Sequence, residues 1–294
     1  MKILLIGKNG QIGKALASKL SSCSDLYAVG SDALRLESNE DIWSTVRSLN
    51  PNLIVNAAAY TNVDAAENEE SLAFQVNAYC LTSLAAVALD VGAAIIHYST
   101  DYVFDGAQIT PYPEAAPTAP LNAYGRSKVA GEKILLKAAV PALIIRTSWI
   151  YSPQGQNFLC TMLRLFRERT SLSVVNDQTS APTSAEAVAS MTAQIIRKMD
   201  KAPDHYLEQK GGLLHMTCSG RATWFDFANE IRVVAEHKGL SLQIKELLPI
   251  TSDQYPLPAA RPRNSLLSLE KLEREFGIVA PHWKRALVNV FEHF

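Results

Sequence analysis

The residues best suited to acid–base chemistry in this chain lie one helical turn apart, Tyr124 and Lys128 in the stretch Ala123-Tyr124-Gly125-Arg126-Ser127-Lys128. The stretch follows the breaker Pro120 and continues through Val129, Lys133 and Leu136 at helical spacing, which predicts a helix start. Residues four apart on a helix share a face, so the phenol and the ammonium point the same way. A free phenol ionises near pH ~10 and a neighbouring cation favours the phenolate. The expectation is a Tyr124 with a lowered pKa, usable as proton donor or acceptor near neutral pH. A surface tyrosine followed by a solvated lysine gives the same pattern, so the surrounding elements must carry the argument.

A second group of residues could hold a phosphate. Gly7-Lys8-Asn9-Gly10-Gln11-Ile12-Gly13 follows the apolar run Ile3 to Ile6 and precedes a helix with Ile12, Leu16 and Leu20 on one face. Gly7 suits the tight turn, Gly10 a close approach of backbone to pyrophosphate, and Gly13 the packing of helix on strand. The spacing differs by one residue from the usual dinucleotide fingerprint. At the end of the next strand, Leu26 to Val29, a carboxylate for a ribose 2′-hydroxyl is missing. Gly30-Ser31 stands there, with Asp32 further out and Arg35-Leu36 beyond. A guanidinium suits a 2′-phosphate, so the reading favours NADPH, with NADH as the alternative.

These groups need a scaffold. Helices are predicted over 39–49, ending at Pro51, and over 71–91, ending at Gly92, with strands at Leu53 to Val55, Ala94 to Tyr98 and Ala142 to Arg146. The third strand opens into Asn56-Ala57-Ala58-Ala59-Tyr60-Thr61, whose small residues let a flat ligand lie against backbone. The fourth runs into Ser99-Thr100-Asp101, where strand ends present groups to a ligand. Asp64, Glu67, Glu69 and Glu70 read as carboxylates favoured by a helix N-terminus rather than as a metal cluster. Alternating strands and helices predict an α/β fold, a Rossmann-like doubly wound parallel sheet. Beyond Trp149 the alternation loosens. Helical patterns lie near 158–167, 184–197, 223–237 and 283–294, with strand-like runs at 172–175, 213–217 and 242–247. The expected division is a dinucleotide-binding domain over 1–150 and a smaller α/β substrate-binding lobe over 151–294, interleaved with it. Arg261 and Arg263, in a loop with Pro262, could clamp phosphates.

Composition narrows the classes. The chain has 294 residues, enough for a sizeable core, and a net charge of -1 with scattered basic residues, which argues against nucleic acid or an anionic membrane as partner. Cys23, Cys80, Cys160 and Cys218 are far apart and read as small buried hydrophobes of a reducing cytosol. The apolar start is too short for a signal peptide or a membrane span. The reading is a soluble cytoplasmic protein.

Taken together, the glycine loop, Val55 to Thr61, His97-Tyr98-Ser99-Thr100-Asp101-Tyr102-Val103-Phe104, Asn122-Ala123-Tyr124-Gly125 with Lys128, Arg146-Thr147-Ser148-Trp149, Asn176-Asp177-Gln178 and Arg261-Pro262-Arg263-Asn264-Ser265 resemble the extended short-chain dehydrogenase/reductase superfamily, and within it the dTDP-4-dehydrorhamnose reductase family. The resemblance implies reduction of the 4-keto group of a dTDP-linked deoxysugar by a nicotinamide cofactor. It implies that Thr100, Tyr124 and Lys128 are catalytic, Lys128 lowering the phenol's pKa and tying down the nicotinamide ribose. Gly10, Gln11, Ile12, Ala59, Tyr60, Thr61 and Tyr98 would line the cofactor. Asp101 and Trp149 would meet the sugar nucleotide, with Arg261 and Asn264 reaching it from the C-terminal lobe. Some relatives hold Mg²⁺ through glutamates at a dimer interface. Here Ala15 takes one matching position and Glu186 another, so no metal ligand is assigned, and a homodimer stays an open expectation. Two alternatives also stay open: reduction of another nucleotide-linked 4-ketosugar, and a non-catalytic regulatory subunit of the methionine adenosyltransferase type.

Overall fold

The computed structural model describes residues 1–21, 25–200 and 202–293. Cys23 and Phe294, which bear on the cysteine reading and on the end of the last predicted helix, lie outside the described residues. Five strands follow the predicted order: β1 (Lys2–Ile6), β2 (Asp25–Val29), β3 (Leu53–Asn56), β4 (Ala94–Thr100) and β5 (Ala142–Thr147). A sixth, Gly212–His215, comes from late in the chain. All six pair in parallel, in the order Gly212–His215, β5, β4, β3, β1, β2. The order reverses between β1 and β3, where a doubly wound sheet opens a crevice at its carboxyl edge.

The central strands are apolar throughout because both faces are covered. Leu4, Ile6, Ile54, Ile95 and Ile144 point to one side, against α2 (Asn39–Leu49), the Glu70–Asp90 helix and the Ala123–Lys137 helix. Ile3, Leu5, Val55, Ile96 and Ile145 point to the other, against α1 (Gln11–Leu20) and a large set of residues beyond 150, among them Val188, Ile195, Leu214 and Met216. That second core is continuous from residue 3 to residue 291. By length and composition the Glu70–Asp90 helix could cross a membrane, but half of it is buried here, packed against α2 and the Ala123–Lys137 helix. It includes a π-helical turn, Gln75–Tyr79.

The structure departs from the sequence reading in three places. The strand expected over 242–247 lies at Glu246–Ile250, paired with Ser171–Val175. Residues 243 and 244 instead donate their N–H groups to the Phe166 carbonyl, at 2.8 and 3.0 Å, closing the end of the Phe158–Glu168 helix. Two further helices, Pro203–Lys210 and Glu270–Phe276, are too short to leave a periodic signal. The Ala123–Lys137 helix buries a different stripe from the one predicted. Lys128, Gly131, Glu132 and Leu135 face inward, while Lys133 and Leu136 are exposed.

Candidate active site

A cleft of about 1310 Å³ opens along the carboxyl ends of β1, β3, β4 and β5. Its floor at one end is the glycine loop. Gly7 turns with φ +90°, and its N–H donates to Val29 O at 2.9 Å. A Cβ on Gly7 would stand 2.6 Å from Ala58 N, and one on Gly13 1.9 Å from Gly7 O, so neither position can carry a side chain. The helix α1 begins at Gly10, which has no side chain to cap it, and no acidic residue follows in its first turn. Its first N–H groups are therefore left for an anion. Gln11 flanks the loop and is held in turn: Ser152 Oγ donates to its Oε1 at 2.8 Å and Asn157 Nδ2 at 3.0 Å.

The middle of the cleft brings together the residues singled out for acid–base chemistry. Thr100 ends β4 and Asp101 begins the following 3₁₀ turn. Tyr124 and Lys128 project from the helix that Asn122 caps by accepting from Gly125 N at 2.8 Å. All four line the cleft, with the Thr100 hydroxyl near enough to the phenol to favour its ionised form. The expected lowering of the phenol's pKa does not occur. Burial, helped by the nearby Asp101 charge, pushes Tyr124 up to about 12. Lys128 does not offset it, its Nζ being turned to the Tyr98 carbonyl (2.6 Å) and to His97 (3.3 Å). Burial also moves the Lys128 ammonium down to about 8. At neutral pH the site thus presents a neutral phenol, a proton donor. Burial raises the Asp101 carboxyl to about 7, although Ser265, Thr100 and Ser180 hydrogen-bond it and pull the other way.

Behind these groups lies a buried ion pair. Arg146 donates to Glu132 twice, Nε to Oε1 at 2.8 Å and Nη2 to Oε2 at 2.7 Å, and Ser99 Oγ donates to the same carboxylate at 2.6 Å. The geometry is a fork against a carboxylate on the helix that carries Tyr124. The acidic run before that region also has another job than the one predicted. Glu67 accepts from Ala123 N at 2.7 Å, Glu70 pairs with Arg126, Glu69 accepts from Tyr60, and Asp64 takes Arg261. As expected, Glu69 and Glu70 stand at the start of the Glu70–Asp90 helix, and Asp64 and Glu67 at the short turn before it; the same carboxylates also fasten the start of the Tyr124 helix and the C-terminal loop.

Other sequence-selected residues fall at varied distances from the cleft. Gly30, Ala59, Thr61, Tyr98 and Trp149 line it. Leu36 is buried in the core beside α2, and Arg35, largely exposed, pairs with Asp41 at 2.8 Å. Arg261 grips Asp64 through two bonds, 3.0 and 2.8 Å, and Asn264 donates to Gln108 O at 2.6 Å. Both hold loops rather than lining the cleft.

Comparison with known proteins fits this geometry. The family model for the RmlD substrate binding domain matches residues 1–294. dTDP-4-dehydrorhamnose reductases from Shigella flexneri and Escherichia coli K12 are each 44% identical over 299 residues, covering 99% of this chain and 98% of the relative. The chain belongs to the RmlD substrate-binding family, that of the dTDP-4-dehydrorhamnose reductases. A solved dTDP-4-dehydrorhamnose reductase of this family, from Bacillus anthracis in complex with NADP, superposes with a TM-score of 0.90 at 32% identity, each chain covered in full.

For a member of this family, several cleft residues escaped the sequence reading. The loop 152–157 and Trp224 line the cleft. Trp224 stacks on Trp149 with ring centroids 3.5 Å apart and planes 8° apart, and Trp149 takes φ +45°, a costly backbone conformation for a bulky residue. Nothing in local spacing marks them, since they reach the cleft from distant segments. Glu186, the expected match to a metal-binding glutamate, pairs with Lys19 at 3.0 Å and with His293 at 3.6 Å. Among the described residues no three His, Cys, Asp or Glu side chains converge to hold a metal.

Proposed function

We propose that this protein reduces the 4-keto group of dTDP-4-dehydro-6-deoxy-L-mannose to give dTDP-L-rhamnose, using NAD(P)H. The observation that carries the reading is the placement of Thr100, Tyr124 and Lys128 in one cleft with an uncapped, glycine-lined helix start. The family's named activity supports the same conclusion. A dinucleotide would lie along the glycine loop, with its pyrophosphate held at the uncapped N-terminus of α1.

When bound, NAD(P)H supplies the hydride. The chain's own residues handle the charge that grows on the keto oxygen. Tyr124, kept neutral by burial, hands that oxygen its phenolic proton. The Thr100 hydroxyl donates to the same oxygen and steadies it. Lys128, part of the cleft wall, would donate to ribose hydroxyls and so orient the cofactor. Asp101 and Trp149 bind the sugar nucleotide, with Arg261 and Asn264 acting from behind through the loops they hold.

NADPH is the proposed cofactor over NADH. No carboxylate stands in β2 at its end, although Asp32 brings its side chain beside Gly30 and Asn9 just past the strand. Arg35 would have to leave Asp41 to meet a 2′-phosphate. The partner is a small nucleotide sugar, the lobes divide near residue 150, and the protein works in the cytoplasm. The test is oxidation of NADPH and NADH by the purified protein with a panel of nucleotide-linked 4-ketosugars. The expected result is fastest turnover with the dTDP-linked substrate and a lower Michaelis constant for NADPH. No turnover with any 4-ketosugar overturns the reading.

A further inference from the structure

Four groups running from β3 through β4 to the Ala123–Lys137 helix form a chain whose proton positions follow from one fixed point. That point is Ala58 N–H, which donates to Asn56 Oδ1 at 3.2 Å. A backbone N–H can only donate, so the amide oxygen faces it and Asn56 Nδ2 is left facing His97 Nδ1, at 3.2 Å. An amide nitrogen carries donors alone. His97 Nδ1 must therefore accept, and the proton of the neutral ring sits on Nε2. Asn56 and His97 are fully buried, and burial is the main cause that keeps the imidazole neutral.

His97 Nε2 lies 3.3 Å from Lys128 Nζ. The amine's other close partner is the Tyr98 carbonyl, at 2.6 Å. An ammonium in this place has one acceptor and one opposing N–H. A neutral amine satisfies both contacts, its lone pair accepting from His97 Nε2–H while an N–H donates to Tyr98 O. We propose that His97 is a positioning residue which, as its Nε2–H tautomer, favours the amine form of Lys128 in the empty cleft, so that Lys128 takes up a proton when ligand hydroxyls arrive to accept from it.

The groups that face Lys128 leave room for this. Glu132, one turn further along the same helix, favours the ammonium, but its carboxylate is already gripped by Arg146 and Ser99. Cys80, from the Glu70–Asp90 helix, is held as a thiol by burial, which pushes it up to about 12. Tyr124, one turn before, is held neutral in the same way. Burial outweighs Glu132 and Cys80 and brings Lys128 down to about 8, and the opposing N–H works in the same direction. The proposal deepens the reductase reading, in which Lys128 meets the ribose.

Its test is made on the cofactor-free protein and does not involve turnover, so it stands or falls apart from that reading. Two-bond proton–nitrogen correlation spectra of the labelled chain, with His97→Phe for assignment, are expected to show His97 as the Nε2–H tautomer. The Nδ1–H pattern overturns the proposal. Carbon-labelled lysine, with Lys128→Met for assignment, is expected to show one ε-methylene titrating well below the others. A Lys128 midpoint among the remaining lysines, near pH ~10.4, also overturns it. In Asn56→Ala the His97 Nδ1 is free to carry the proton and Nε2 can accept. There the tautomer is expected to invert and the Lys128 midpoint to rise by about one unit or more. An Asn56 with a merely structural role would move neither, and if this variant does not fold, the two wild-type spectra decide.

Discussion

Tyr124 and Asp101 share one cleft and differ in what burial asks of them. A phenol raised to about 12 is neutral across the working pH range, so the proton it gives is always present. Tyr124→Phe removes that proton and little else. Turnover is expected to fall by roughly two to four decades with cofactor affinity retained, as read by steady-state rates beside NADPH fluorescence titration. For Asp101 the sign is that of a raised pKa. The fold favours its neutral acid, so the stability it contributes is complete below pH ~4 and is lost as pH rises through about 7. Asp101→Asn is therefore expected to gain stability relative to the parent between pH ~5 and pH ~8, with a ceiling of about 4 kcal/mol. Urea denaturation at the two pH values measures it, and a difference that does not change with pH rules out a carboxyl titrating there. Tyr124 and Lys128 were legible as a pair from side-chain type and spacing, and Thr100 from its place at a strand end together with the family resemblance. The direction of the Tyr124 shift was not, because spacing places Lys128 on the right face without saying that Tyr98 and His97 claim its Nζ.

At the scale of the element, the Ala123–Lys137 helix is held by polar groups on its inner face. Arg146 and Glu132 are both almost fully buried, so removing one partner strands the other's charge. Glu132→Ala is expected to cost about 3–5 kcal/mol in unfolding free energy, and replacing Arg146 by Met in the same chain to recover much of it. If the single variant unfolds at the parent's urea midpoint, the ion pair does not hold the helix. This inner face is also where the sequence misled. Val129 and Leu136 suggested an apolar stripe, yet Lys128 and Glu132 face inward because Tyr98, His97, Arg146 and Ser99 wait there to bond them. The strands and long helices were readable because runs such as Ile3 to Ile6 need no partner information. The short helices Pro203–Lys210 and Glu270–Phe276 bury two residues each, too few to set a period.

For the molecule as a whole, the packing does not divide near residue 150. The core that begins at Ile3 and Leu5 is completed by Val188, Ile195, Leu214 and Met216. A fragment ending at residue 150 is expected to lack a cooperative thermal transition by circular dichroism, because one face of its sheet is bare. A sharp transition in that fragment would show that the N-terminal part is a self-sufficient unit. The Arg261–Asp64 clamp joins residues far apart in the chain, and Arg261→Ala is expected to speed proteolytic cutting near residue 260 while leaving the sheet protected from hydrogen exchange.

The strand Gly212–His215 seals the sheet edge beside β5. During synthesis, that edge has no neighbour until more than two thirds of the polypeptide has left the ribosome. Until then the nascent protein offers β5's open backbone to any other extended segment, so this enzyme's need for chaperones should be concentrated in the interval between the emergence of those two strands.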